Sequence, residues 1–156
     1  MSSPTDAQLK GRLQADLTTA MKARDELTTA TLRMVLTAVG TEEVAGKTAR
    51  TLSDDEVLKV LGREAKKRRE AADAFRSGGA DERAERELAE EQVLSRYLPA
   101  QLSDEELAAM ARQAVADTGA SGPQGMGAVM KVLTPQIAGR AEGGRVAAAV
   151  RSALAG

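Results

Sequence analysis

The chain has 156 residues and a net charge of −1, from 22 basic and 23 acidic side chains. It contains no cysteine and no histidine, which excludes disulfides, thiolate or imidazole metal ligands, and catalysis by either side chain. We therefore expect no metal and no cofactor. The balanced charge excludes a global basic field, so any site for a polyanion must be local.

The composition favours helices. Alanine, leucine, glutamate and arginine dominate, which predicts an all-α protein. Because Phe75 and Tyr97 are the only aromatic residues, the core must consist of aliphatic side chains and methionine. The first residues lack the basic-then-apolar pattern of a signal peptide, and no run approaches the roughly 18 apolar residues of a membrane span. We expect a cytoplasmic protein with no membrane partner.

Residues 1–98 are predicted to hold four helices. Leucines at helical spacing mark the first helix, over about 5–23. Asp25 has the position of an N-cap for the second helix, which is predicted to end near Gly40. Residues 42–52 contain a glycine, threonines and mixed charges, and we interpret them as an exposed loop.

The third and fourth helices are predicted to form a long hairpin. Ser53 and Glu56 have the spacing of a capping box, which begins a third helix that runs to about Phe75. The fourth helix covers about 82–98, and Pro99 ends it because the residue before a proline avoids helical angles.

A basic cluster in the third helix has two interpretations. It is either a solvated face paired with the acidic residues of the fourth helix, or a patch that contacts phosphate. The first is favoured, because charge runs on long helices usually serve solubility and pairing. Arg68 interrupts the buried stripe, and we expect its stem to pack while its head lies in water. The candidates for a secondary basic patch are Arg63, Lys66, Lys67 and Arg69.

Residues 99–156 are predicted to form a separate three-helix part. Ser103 and Glu106 repeat the capping-box pattern and begin the fifth helix, which ends in the glycine-containing segment 119–122. The sixth helix follows, and the seventh begins at about Gly143. The sequence therefore predicts two helical parts, 1–98 and 99–156.

The stretch 123–145 combines glycines, basic residues and helical periodicity. Pro135 is predicted to kink or stop the sixth helix, and Gly139 to break the chain after it. Lys131, Arg140 and Arg145 could then surround a helix terminus, where backbone N–H groups and cations receive phosphate. The alternative is that the glycines are only caps, and from the residues alone that alternative is favoured.

Several segments together resemble the GatB/YqeY family. They are DLTTAMKARDELTTATLRMVL at 16–36, the REAKKRREAADAF run, YLPAQLSDEEL at 97–107, and GMGAVMKVL followed by GRAEGGRV within 125–146. The resemblance covers nearly the whole chain in the right order and is closest to stand-alone YqeY-like proteins of bacterial type. It implies an N-terminal helical part and a C-terminal part similar to the tail of the B subunit of tRNA-dependent amidotransferases.

That tail is implied to help hold tRNA during amidation of a misacylated tRNA. The carbon–nitrogen ligase activity of the family is implied only for the catalytic body, which this chain does not resemble. One departure from the family pattern is Glu142, where Asp is common, and we expect a weaker N-cap there. The positions that match the tail motif are Gly125, Met126, Gly127, Lys131, Gly139, Arg140 and Gly143, and Arg145 is a further tRNA-binding candidate.

Three functions are compatible with these observations. The favoured one is a non-catalytic, tRNA-binding accessory protein that meets folded RNA by shape and backbone, with no DNA partner expected. The alternative is a protein-interaction module that docks on an aminoacyl-tRNA synthetase, an amidotransferase or another partner. Catalysis by the chain itself is disfavoured, since its acidic clusters fall on helix faces and caps and no site constellation is recognisable.

Overall fold

The computed structural model describes residues 8–156, and these residues are all-α, as predicted. The predicted start of the first helix, near residue 5, lies outside the described part. The chain divides into two compact units, residues 1–98 and 99–156. The helices are α1 (Gln8–Lys22), α2 (Glu26–Glu43), α3 (Asp54–Ser77), α4 (Asp81–Ser95), α5 (Asp104–Thr118), α6 (Met126–Ile137) and α7 (Gly143–Leu154), with a short 3-10 turn at Pro123–Gly125.

Three predicted helix caps are confirmed. The Asp25 carboxylate accepts the backbone N–H of Thr28 at 3.1 Å and so caps α2. Both capping boxes are complete, with Ser53 and Glu56 exchanging bonds at the start of α3, and Ser103 and Glu106 doing so at the start of α5. Each cap satisfies N–H groups that the first helical turn leaves without partners.

The second helix and the following loop differ from the prediction. Gly40 does not end α2, which continues to Glu43 because its apolar face, including Val39, packs in the core. The Glu43 carboxylate then binds Lys10 at 2.7 Å and the backbone N–H of Leu52 at 3.1 Å. Leu52 is fully buried, so the loop is anchored at its end rather than exposed throughout.

The core of the first unit is aliphatic. The buried faces of α1 to α4 meet there, and half-buried leucines and Tyr97 pack around them. Its fully buried members are Leu13, Leu32, Val35, Val39, Leu52, Val57, Leu61 and Leu94.

The prediction for Arg68 is wrong, because its head lies inside the unit and not in water. The residue is only 3% exposed, and Nη1 donates to the Glu64 carboxylate at 2.8 Å and to the Glu64 carbonyl at 2.9 Å. Its Nε lies 3.3 Å from Glu90 of α4, in an orientation that does not make a hydrogen bond, so that contact is Coulombic. Its Nη2 reaches the Met34 sulfur of α2 at 3.6 Å.

Glu64 stays ionised beside Arg68. Burial alone would raise the pKa of Glu64, but hydrogen bonds from Arg68 and Lys67 outweigh it, so the pKa lies below its ordinary value. Arg86 lies 3.6 Å from the second carboxylate oxygen of Glu90. The buried Arg68 guanidinium therefore lies between the nearly buried carboxylates of Glu64 and Glu90. The more exposed Lys67 and Arg86 supply a further positive charge to each of them.

The end of α4 is set by Tyr97. Helix α4 stops at Ser95, before the predicted end at 98, and the chain turns so that the Tyr97 hydroxyl donates to Asp16 of α1 at 2.6 Å. The Arg12 guanidinium lies 4.9 Å from the Tyr97 ring centroid. Burial and the Asp16 carboxylate raise the pKa of Tyr97 to about 12.

The second unit is a three-helix bundle around a small core. Gly119 ends α5 in the left-handed conformation, with φ of 65°, as predicted for a glycine cap. Pro135 does not stop α6, because Leu133 and Ile137 anchor the last turn in the core. The break comes at Ala138, whose φ is 47°. The core residues are Leu102, Leu107, Ala111, Ala114, Val129, Leu133, Ile137, Val146 and Val150.

Removal of the buried guanidinium should strongly destabilise the first unit. We expect Arg68→Met to lower the free energy of unfolding by about 3 kcal/mol, because two nearly buried carboxylates lose their partner. The control Arg63→Met removes an exposed pair with Glu42 and should cost about 0.5 kcal/mol or less. Urea denaturation measures both, and equal losses would contradict the prediction.

The single tyrosine allows a direct titration. Because the folded pKa of Tyr97 lies above the ordinary value of 10.0, its contribution to stability is complete below that pH and is lost as pH rises towards 12. We expect the tyrosinate absorbance midpoint to lie near 12 while circular dichroism shows a folded chain. Asp16→Asn should move the midpoint down towards 10. An unshifted midpoint in the native protein would disprove this packing of Tyr97.

Candidate nucleic-acid interface

Gly125 is required by packing. A Cβ atom at Gly125 would lie 2.7 Å from the Ala120 Cβ and 3.4 Å from a Leu154 methyl group. The Cβ and backbone atoms of Ala120 cannot move aside as the end of a long side chain could, so there is no space for a side chain at Gly125. The next motif residue, Met126, is half-buried and packs on the core of the second unit. These two motif residues therefore serve the fold.

Gly127 and Lys131 have no such role. They are four residues apart on α6 and share its exposed face. A Cβ at Gly127 would meet nothing within 4 Å. Lys131 is exposed, and over residues 8–156 it makes no hydrogen bond or ion pair. Packing therefore does not explain why this face carries a glycine and a lysine.

Arg140 closes the end of α6. Its Nη2 donates to the Gln136 carbonyl at 2.9 Å and its Nε to the Ile137 carbonyl at 3.3 Å. These carbonyls belong to the last turn of the helix, where carbonyl groups have no N–H partner within the helix. Gly139 precedes it with φ of 81°, a conformation that favours glycine. The Arg140 carbonyl in turn accepts the N–H of Leu102 at 2.8 Å.

Arg145 ties α7 to the start of α5. Its Nη2 donates to the Leu102 carbonyl at 2.9 Å and to the Asp104 carboxylate at 2.7 Å. Gly143 begins α7 with open space around it. Glu142 makes no side-chain hydrogen bond as the N-cap, which agrees with the weak cap expected for glutamate at this position.

The three motif cations do not gather at one helix terminus, so the sequence-based expectation is corrected here. Lys131 lies in the middle of α6, about 9 Å along the helix from Ile137 at 1.5 Å per residue. Arg140 and Arg145 are held at the junction of α6, α7 and the start of α5. Both are bound to the protein's own backbone, so Lys131 is the motif cation left free for a partner.

The secondary basic patch on α3 is paired with acids. Its four members each lie within 4 Å of a carboxylate, on α2, on α3 itself or on α4. Three of them, Arg63, Lys66 and Lys67, line a groove between α2 and α3 together with three acids, so the groove has no excess positive charge. The pairs are Arg63–Glu42 at 3.5 Å, Lys66–Glu70 at 3.9 Å, Lys67–Glu64 at 3.3 Å and Arg69–Glu91 at 3.1 Å. This arrangement favours the solvated, paired face over a phosphate site.

The described residues offer no other obvious site. Within 8–156, no group of three or more acidic side chains converges as metal ligands would. In the same range no helix is long and apolar enough to cross a membrane.

One surface had no function assigned from the sequence. Met21 is exposed in the last turn of α1, and the turn that follows places Arg24 at φ of 57°, which is uncommon for a residue other than glycine. The available signal was the AMKARD segment at 20–25, which marked the family resemblance but suggested no chemistry.

Alanine substitutions should separate the two motif glycines. Gly125→Ala should lower the free energy of unfolding by about 1–3 kcal/mol, because the added methyl group overlaps Ala120. Gly127→Ala should raise it by about 0.5 kcal/mol, since alanine is the better helix former and its methyl group meets no atom. Thermal and urea denaturation measure both. A loss of stability in Gly127→Ala would show that this glycine has a packing role.

Comparison with known proteins agrees with the sequence resemblance. A protein of Clavispora lusitaniae described as "Altered inheritance of mitochondria protein 41, mitochondrial" is 31% identical over 109 residues, which span 68% of this chain and 62% of that protein. An uncharacterized protein of Schizosaccharomyces pombe is 31% identical over 97 residues, covering 62% of this chain and 76% of the relative. Residues 10–154 match the family described as "Yqey-like protein". The chain therefore belongs to the YqeY-like family.

Proposed function

We propose that this protein is a non-catalytic accessory of tRNA-dependent amidation that binds tRNA through the exposed face of α6. The proposal assigns no reaction to the chain itself: activation and amide transfer belong to a separate amidotransferase. Its compartment must contain tRNA. The cytoplasm is such a compartment, and so is the mitochondrion named in the description of the Clavispora relative.

One observation carries the proposal. Of the motif residues, Gly125, Gly139 and Arg140 are used by the fold, whereas Gly127 and Lys131 remain on an open helix face. A glycine in a helix costs stability relative to alanine, so a glycine with free space around it suggests the close approach of another molecule. The lysine one turn further supplies the charge that a phosphate requires.

The chemistry of this face fits folded RNA. The N–H groups in the first turn of α6 carry partial positive charge, which favours a phosphate near Gly127. Neither aromatic residue lies within 99–156, so the unit cannot stack splayed bases. Recognition would therefore depend on the shape and backbone of a duplex region.

The charge of the second unit limits its affinity. Residues 99–156 contain five basic and five acidic residues, and Arg145 is already paired with Asp104. Non-specific attraction to nucleic acid is therefore small, and binding should depend on a few phosphate contacts. This is also the reason that no affinity for DNA is proposed.

The test is a titration with total tRNA and with an unrelated RNA duplex at two salt concentrations. We expect tighter binding to tRNA, weakened by salt. Lys131→Glu should weaken it by about tenfold and reduce the salt dependence by about one phosphate contact. Lys59→Glu is the matched control, because Lys59 is an exposed lysine on α3 without an ion pair in the described part of the chain. Arg140 is left unchanged because it holds the end of α6.

Two results would overturn the proposal. One is the absence of tRNA binding at low salt. The other is an equal loss of binding in the two lysine variants, each of which should keep the wild-type circular dichroism spectrum. Either result would favour docking on a synthetase, an amidotransferase or another protein instead.

A further inference from the structure

Methionine is the only sulfur-containing residue of this chain. The sequence has six methionines and no cysteine, so a peroxide cannot react with a thiol and reacts instead with a thioether. Among the methionines within 8–156, Met34 is the most exposed at 54%, and Met21 follows at 49%. Met110, Met126 and Met130 are half-buried in the second unit. Exposure therefore favours oxidation in the first unit.

The Met34 sulfur lies against the buried ion group of the first unit. Met34 is on α2, and its sulfur lies 3.6 Å from Nη2 of Arg68 on α3. Arg68 is only 3% exposed, whereas more than half of the Met34 surface is open to solvent. The Met34 side chain therefore borders both the solvent and the buried guanidinium.

The Arg68 guanidinium has more donors than good acceptors. Nη1 donates to the carboxylate and to the carbonyl of Glu64, whereas Nε lies 3.3 Å from Glu90 without making a hydrogen bond. In the described part of the chain the Met34 sulfur is the one acceptor of Nη2, and a thioether accepts weakly. A buried donor without a good acceptor costs free energy. A stronger acceptor at the Met34 sulfur would therefore stabilise the buried guanidinium.

We propose that Met34 is a reversible oxidation site, whose sulfoxide binds Arg68 and so stabilises the packing of α2 on α3. The oxidant is a peroxide. A lone pair of the Met34 sulfur attacks one oxygen of hydrogen peroxide, and the S–O bond forms as the O–O bond breaks. The proton of the transferred oxygen passes to the departing hydroxide, which leaves as water, so the sulfur is oxidised and the peroxide is reduced. The new oxygen then accepts a hydrogen bond from Nη2 of Arg68.

The surroundings of Met34 make its sulfoxide favourable. Methionine sulfoxide usually disrupts packing, because it places a polar group among apolar ones. Here the neighbouring group is a guanidinium, and hydrogen bonds from an ionised donor are the stronger kind. Glu64 keeps both of its bonds, because they use Nη1. Since Met34 is exposed, its side chain has room to move outward and admit the oxygen. Oxidation should therefore stabilise the first unit.

Met21 provides an internal control. Its sulfur lies 3.8 Å from Nη2 of Arg33, so the same two kinds of atom are in contact, but Arg33 is exposed. Water already satisfies the donors of an exposed guanidinium, and a sulfoxide there adds little. The two contacts differ in the burial of the arginine, so only oxidation of Met34 should change the stability.

Treatment with dilute hydrogen peroxide tests the site. Mass spectrometry of proteolytic fragments should show Met34 oxidised ahead of Met110, Met126 and Met130. The circular dichroism of Tyr97, the single tyrosine, reports the melting of the first unit alone. We expect oxidation to raise this melting temperature by about 2–5 °C in the wild type, and not in equally treated Met34→Leu. Methionine sulfoxide reductases for both sulfoxide epimers should reverse the rise.

Glutamine at position 34 supplies the acceptor without an oxidant. Its side-chain carbonyl is a neutral oxygen that can take the place of the sulfoxide oxygen beside Arg68. Met34→Gln should melt about 2–5 °C above Met34→Leu, although leucine and glutamine have nearly equal helix propensities. The matched variants Met21→Gln and Met21→Leu should show no such difference.

Four results would overturn the inference. The first is oxidation of Met34 no earlier than that of the methionines in the second unit. The second is a melting temperature that stays unchanged or falls after oxidation. The third is a rise that the reductases do not reverse. The fourth is an equal difference between the glutamine and leucine variants at positions 34 and 21. None of these measurements involves RNA, so this inference and the proposed tRNA binding can fail separately.

Discussion

The first unit depends on one buried guanidinium. Arg68 binds Glu64 within α3, faces Glu90 of α4 and contacts Met34 of α2, so three helices share one charge. Alanine-rich helices slide and rotate against one another with little penalty, because their side chains interlock weakly. A planar donor with fixed directions does not permit this, and lysine would not replace it. The ion group thus specifies how α3 and α4 align as much as it stabilises them.

The motif residues of the second unit divide into two kinds. Arg140 and Arg145 satisfy backbone carbonyls at the junction of helices, and Gly125 permits a close contact with Ala120. These residues hold together a small bundle whose core is aliphatic. Gly127 and Lys131 add nothing to that bundle. Most residues of this motif therefore serve the fold. Only Gly127 and Lys131 remain accessible to a partner.

The sequence predicted the helices well because their start signals are local. The capping boxes at Ser53 and Ser103 and the cap at Asp25 need only neighbouring residues, and all three form as expected. The predictions were wrong where contacts between residues distant in the sequence determine the structure. Arg68 was expected in water because Glu90 is far along the chain, and the end of α4 was misplaced because Tyr97 turns towards Asp16. Arg140 and Arg145 were expected to be available to a phosphate, because a sequence does not show which backbone carbonyls will accept their hydrogen bonds.

The bond between Tyr97 and Asp16 joins residues 81 positions apart, almost the full length of the first unit. During synthesis, α1 leaves the ribosome early but receives this partner only after the whole unit has been translated. The hairpins of α1 with α2 and of α3 with α4 can form sooner, since their contacts are close in sequence. This bond therefore cannot form before every helix of the first unit has been synthesised.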